Sequence, residues 1–155
     1  MNFMSIDPGL SGTGWAAWEG EIPTSCGVLK PKKEVDWTEN AYQISFAVCL
    51  LVRKFRPLET LIEFPRYMPG SSAGRASAAS GSLIKLAFLV GSITNKVTPY
   101  TDVRLIGTDW KGNLKKDIMQ RRVERELGIS LCQKLDVKTH AWDALGIGLN
   151  KIGRF

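Results

Sequence analysis

The sequence predicts one α/β domain over residues 1–155, built on a five-stranded mixed sheet with helices on both faces. Three observations lead there. Three short apolar runs, joined by turns rich in Gly, Pro, Ser and Thr, open the chain and read as an antiparallel meander. Two further apolar runs then alternate with stretches of helical period, which implies two parallel strands added through helical crossovers. A chain of 155 residues is long enough to bury its own core within one domain.

Residues 2–6 form the first strand, stopped by Pro8-Gly9. The second, residues 14–18, follows a Gly/Ser/Thr turn, and the third, residues 26–29, lies between Pro23 and Pro31. Thr38 is the expected N-cap of a helix over residues 39–54, where Ala41, Ile44, Ala47, Val48, Leu51 and Val52 recur at helical spacing. Residues 58–62 form the fourth strand, ending at Glu63-Phe64-Pro65, and residues 66–72 read as a loop. A single helix is expected over residues 73–93; its opening run of Ala, Gly and Ser suits either tight internal packing or a dimer seam. The fifth strand covers residues 103–106, and a basic helix covers 115–127 up to Gly128. Thr139 is the expected N-cap of a last helix over residues 140–151.

Composition narrows the class. Hydrophobic residues make up 44% and charged residues 23%, as in ordinary soluble domains. No apolar run reaches the roughly 18 residues of a membrane span, and the start lacks the basic flank of a signal peptide. Cys26, Cys49 and Cys132 are odd in number and far apart. They make neither a disulfide framework nor a zinc pattern, and read as free thiols of a cytoplasmic protein. A net charge of +6 favours a polyanionic partner. Six basic residues (Lys111, Lys115, Lys116, Arg121, Arg122, Arg125) face two acidic ones (Asp117, Glu124) between positions 111 and 125. That stretch is either a solvated helix face or a phosphate track, whose contacts would position DNA without reading its sequence.

Four polar residues sit at the ends of elements. Asp7 closes the first strand and Glu63 the fourth, and those strands are expected to be parallel neighbours. His140 and Asp143, at i and i+3, share one face of the last helix. Carboxylates gathered at one sheet edge repel unless a cation compensates them, and a hard divalent ion does so through oxygen ligands. Two such ions roughly 4 Å apart stabilise the attacking and leaving oxygens of a phosphodiester displacement. Taken singly, Asp7 before Pro8-Gly9 also suits a turn, Glu63 a solvated strand end, and His140 a surface imidazole. Asp143 is harder to set aside: among Ala141, Trp142, Ala144 and Leu145 a carboxylate needs a partner.

Three segments carry a family resemblance. Residues 6–16, Ile-Asp-Pro-Gly-Leu-Ser-Gly-Thr-Gly-Trp-Ala, resemble the opening motif of the RuvC family of Holliday junction resolvases. Leu61-Ile62-Glu63 resembles its second acidic motif, and residues 140–146, His-Ala-Trp-Asp-Ala-Leu-Gly, its closing one. Order and approximate spacing hold over nearly the whole chain. The resemblance implies an RNase H-like fold and a homodimeric, Mg²⁺-dependent nuclease that nicks two opposed strands of a four-way DNA junction. It carries Asp7, Glu63, His140 and Asp143 over as the set holding two ions. Lys116, or its neighbour Lys115, matches a basic residue that approaches the scissile phosphate. Trp110-Lys111-Gly112 resembles the form of this segment seen in phage nucleases, making Lys111 a second candidate phosphate contact and suggesting a phage protein acting in its host's cytoplasm. Arg121 and Arg122 extend the expected DNA surface.

Two departures refine these expectations. The family often carries an aromatic three residues after its second acid; here Arg66 stands there, flanked by Phe64 and Tyr67. Either aromatic suits stacking on an unpaired base, worth roughly 1–3 kcal/mol, and Arg75 closes the same Gly/Ser-rich segment. Preference for four-way junctions over flaps and forks would be set there. His140 stands where the family also uses an acid. Its nitrogen suits Mn²⁺ better than Mg²⁺, so Mn²⁺ is expected to substitute; alternatively His140 orients or deprotonates the attacking water. Two other classes compete: a non-catalytic nucleic-acid-binding module on the same scaffold, and a sugar-kinase or actin-like ATPase. The latter needs two such domains and leaves His140-x-x-Asp143 unexplained.

Overall fold

Side-chain alternation along β1 (Asn2–Asp7) sets the layering. Met4 and Ile6 point into one core, and Phe3 into a second on the opposite face. In the computed structural model, which describes residues 1–65, 72–112 and 114–155, β1 is the centre of a five-stranded sheet. The order is β3-β2-β1-β4-β5, with β2 (Thr13–Glu19), β3 (Ile22–Leu29), β4 (Glu59–Glu63) and β5 (Asp102–Ile106). β1 pairs antiparallel with β2, and β2 with β3; β1 pairs parallel with β4, and β4 with β5. This is the predicted mixed sheet.

Helices α1 (Trp37–Phe55) and α3 (Ser82–Val97) cover the face of Met4 and Ile6, through Ile44, Val48, Val52, Leu89, Val90 and Ile93. The other face carries α6 (Thr139–Lys151) and α4 (Lys116–Leu127), packed on Phe3, Ala16, Trp18 and Leu61. α6 lies close on the sheet because its contact face is small. A Cβ at Gly148 would fall 2.2 Å from the Trp18 ring. Trp18 stacks on Phe3 and donates its indole N–H to Ser5 Oγ at 3.0 Å; the Ser5 hydroxyl donates to the Ala144 carbonyl at 2.7 Å. That relay ties α6 to the central strand, at a depth where an unpaired hydroxyl would be costly.

The elements depart from the sequence reading at several points. α1 begins at Trp37 because Asp36, not Thr38, is its N-cap: the Asp36 carboxylate accepts the Thr38 N–H at 2.8 Å. β3 starts at Ile22 and includes Pro23, which an edge strand tolerates. The single helix expected over residues 73–93 is two, α2 (Ser72–Ala79) and α3, broken at Gly81, whose φ of +71° is left-handed. A 3₁₀ turn, Thr108–Lys111, and a short helix α5 (Ile129–Lys134) were not predicted. Thr139 is the first residue of α6 rather than its cap. Arg66 and Tyr67 lie outside the described residues. Cys26, Cys49 and Cys132 are free thiols, as expected, and burial pushes Cys26 up to about 11. Among the described residues no helix is long and apolar enough to cross a membrane.

Candidate metal centre

The register Ser5↔Leu61 and Ile6↔Ile62 brings the last residues of β1 and β4, Asp7 and Glu63, to the same end of the sheet. By alternation both side chains leave on the α6 side. Opposite Asp7 on β2 is Gly14. A Cβ there would fall 2.0 Å from the His140 carbonyl oxygen, so only glycine lets the first turn of α6 cross this edge. Gly12 performs a similar service at the ring, where a Cβ would lie 3.0 Å from His140 Cδ2. The Gly-rich turn after β1 is thus the bed on which His140 rests.

One ligand atom from each of Asp7, His140 and Asp143 lies within 4.8 Å of the others. His140 Nδ1 is 3.5 Å from Asp7 Oδ2, and its Nε2 is 3.2 Å from Ser11 Oγ. Two carboxylates and an imidazole, all largely covered, form a donor set that fits a divalent cation. Glu63 is 8% exposed at its side chain and stands beside this trio rather than within it. Its carboxylate accepts from Lys111 Nζ at 3.1 and 3.4 Å and from the Trp110 indole N–H at 3.1 Å. Lys111 Nζ also lies 3.8 Å from Asp143 Oδ1.

The electrostatics follow from crowding and burial. Burial pushes the Glu63 carboxyl above its ordinary range; Lys111 opposes this and Asp7 adds to it. Burial and the neighbouring Asp7 likewise raise Asp143, against Lys111, His140 and Lys116. For Lys111, burial alone would lower the ammonium's pKa. Glu63, Asp143 and Asp7 outweigh it and hold Lys111 above its usual range. The site is an excess of negative charge that Lys111, seated between Glu63 and Asp143, partly offsets.

Five strands in this order, with both acids at the ends of parallel neighbours, invite comparison with known folds. No family model matches the sequence, and no curated protein matches it. Solved structures do. Thermus thermophilus RuvC superposes with a TM-score of 0.70 at 19% identity, covering 99% of this chain and 98% of that one. The fold is that of the RuvC resolvases. T. thermophilus RuvC in complex with Holliday junction substrate gives a TM-score of 0.71 at 18% identity, covering 99% and 97%. Fowlpox virus resolvase, with substrate Holliday junction DNA, gives 0.58 at 14% identity, covering 99% of each chain.

The other positions expected to meet DNA surround this RuvC-like site to differing degrees. Phe64 is exposed beside Glu63, with its backbone N–H bonded to the Ile106 carbonyl at 2.7 Å. Lys115 and Lys116 open α4 and are exposed; Lys116 helps line a groove of about 490 Å³ with Thr139, Trp142 and Asp143. Arg121 is exposed, whereas the Arg122 guanidinium stacks 4.5 Å from the Phe155 ring centroid. Arg75 is exposed on α2. Two participants escaped the sequence reading. Trp110 binds Glu63, and its only signal was the quoted Trp110-Lys111-Gly112 segment. Ser11 meets His140 from within the Gly-rich turn, where a hydroxyl draws no notice.

Proposed function

We propose that this chain is a divalent-metal-dependent DNA endonuclease that resolves four-way junctions by paired nicks. The convergence of Asp7, His140 and Asp143 at one sheet edge, with Glu63 alongside, carries the reading. Mg²⁺ is the proposed ion, two per site, with Mn²⁺ able to substitute. Ions held there would supply Lewis-acid stabilisation to the oxygens of the phosphodiester displacement. The protein's own work is to gather the acids in a covered place, to orient the His140 ring from Gly9, Gly12 and Ser11, and to meet the DNA backbone with Lys115, Lys116 and Arg121. Phe64, with Arg66, Tyr67 and Arg75, is the proposed junction probe. Two neighbours of like fold, the T. thermophilus and Fowlpox virus proteins, have been solved with Holliday junction DNA. That supports a branched DNA substrate for this chain, and a DNA substrate in turn makes the cytoplasm its proposed workplace.

Paired nicks need two sites, hence a homodimer. Tyr42, Phe46 and Leu50 form an exposed stripe at four-residue spacing along α1, beside a groove that runs to Phe88 and Gly91 of α3. An apolar stripe of this kind suits a second copy of the same surface.

The deciding experiment compares cleavage of labelled four-way junction, fork, flap and linear duplex DNA, with Mg²⁺ or Mn²⁺, by wild type and Asp7→Asn. Wild type nicks the junction symmetrically, and Asp7→Asn binds it without cutting. Faster cutting of forks and flaps than junctions moves the reading to a debranching nuclease. No cleavage by wild type with either ion leaves only a binding module.

A further inference from the structure

Glu63 is the one acid of the expected metal set that is already fully engaged. Each of its oxygens meets Lys111 Nζ, at 3.1 and 3.4 Å, and Oε2 also takes the Trp110 indole N–H at 3.1 Å. Both donors belong to the 3₁₀ turn Thr108–Lys111. That turn is anchored rather than loose. The Trp110 ring packs on Gly146 of α6, where a Cβ would come within 2.7 Å of it, and meets the Phe155 ring edge-on at 5.4 Å between centroids. Lys111 Nζ sits 5.4 Å from the Trp110 ring centroid, a cation held against its own neighbour's π face. Its side chain is 25% exposed, far from the solvated reach of a lysine waiting for a phosphate. Meanwhile Asp7, His140 and Asp143 converge without Glu63.

We propose that Lys111 is a tethered counter-cation that withholds Glu63 from the metal set, so the DNA-free protein takes one divalent ion, on Asp7, His140 and Asp143. A second ion enters only when the ammonium leaves Glu63. The inference rests on the metal-dependent reading above and adds a step of site assembly to it. An ammonium and a dication compete for the same carboxylates, and in a covered site that competition is strong. Lys111 is therefore a positioning residue, acting through Glu63 on ion stoichiometry.

The test is Mn²⁺ binding to the DNA-free protein, followed by loss of the free-ion electron paramagnetic resonance signal. Wild type and Lys111→Arg bind one equivalent. Lys111→Met binds a second, or binds the first about tenfold or more tightly. Adding Glu63→Gln to Lys111→Met abolishes the gain. Glu63→Gln alone keeps its one ion, and this arm does not depend on any Lys111 variant folding. The proposal is overturned if wild type binds two ions and Glu63→Gln loses one, or if folded Lys111→Met titrates like wild type. Wild type binding no Mn²⁺ overturns this proposal together with metal dependence. Wild type binding one ion yet cutting no DNA sinks the nuclease reading and leaves the role of Lys111 standing.

Discussion

His140 Nδ1 lies 3.5 Å from Asp7 Oδ2, while Nε2 on the far side of the ring faces Ser11 Oγ at 3.2 Å. The imidazole is therefore addressed at both nitrogens, one toward the carboxylates and one toward a neutral hydroxyl. This is how a metal-ligating histidine is usually held, with its second nitrogen fixed by an outer partner. A nitrogen donor in place of a carboxylate oxygen shifts preference from Mg²⁺ toward Mn²⁺. Wild type is expected to cut at least as fast with Mn²⁺ as with Mg²⁺, and His140→Asp to lower the Mn²⁺/Mg²⁺ rate ratio by about tenfold. Junction cleavage over a metal series measures both. Absence of Mn²⁺ activity in wild type rules the role out.

Gly14 makes a second prediction. Its absent Cβ is the space occupied by the His140 carbonyl, only 2.0 Å from where that carbon would be. Gly14→Ala must push the first turn of α6 off the sheet, away from Asp7. Strain of this kind costs about 1–3 kcal/mol, so the variant folds with a lower Tm. Cleavage should fall by about 10²-fold, since small displacements of reacting groups cost that much, while junction binding changes little. Thermal melting beside single-turnover cleavage separates the two effects. A variant that loses stability but cuts normally would show that α6 tolerates the shift.

Much of this arrangement was legible in the residues. Three apolar runs before the first helix suggested a meander, and a helix between the third and fourth strands suggested a parallel addition, so Asp7 and Glu63 were expected as neighbours, and the β1–β4 pairing makes them so. The i, i+3 spacing of His140 and Asp143 needed only the helix. What was not legible is contact between distant turns. Lys111 and Glu63 are 48 positions apart, and no periodicity relates a 3₁₀ turn to the end of a strand. The break at Gly81 was hidden because a run of Ala, Gly and Ser reads as helix-compatible, while the left-handed φ that ends it is a property of one residue. Asp36 outcompeted Thr38 as cap because an ionised carboxylate accepts an amide more strongly than a hydroxyl does.

The buried carboxyls predict a pH dependence of stability. Burial and Asp7 raise Asp143 above its unfolded value, so the folded protein holds that proton more tightly than the unfolded chain. The stability this gives is fully present below the unfolded carboxylate pKa, about 4. It is lost as pH rises through the folded value, because the native state must then ionise a covered group. Asp143→Asn cannot ionise and escapes the loss. In metal-free buffer its Tm relative to wild type should climb as pH rises through the acid range and then level off. Added Mn²⁺ should reverse the order by stabilising wild type more. A difference in Tm that stays flat with pH would show that Asp143 is not strained in the folded state.

Phe46 is 57% exposed between Tyr42 and Leu50, on a face that the described residues leave open. Large aromatic side chains at the centre of such a patch tend to carry an interface, and a charge buried there without a partner is expelled. If two copies meet at this face, Phe46→Glu yields a monomer by sedimentation velocity while its melting temperature stays near that of wild type, since the residue supports no core of its own. The monomer keeps an intact metal set, so it should still nick one strand. Paired nicks on a supercoiled cruciform plasmid, which linearise the circle only when both strands are cut within one binding event, should give way to nicked circles. Linear product at the wild-type level from a monomeric Phe46→Glu protein would separate paired cutting from dimerisation. An unchanged dimer would place the interface elsewhere on the molecule.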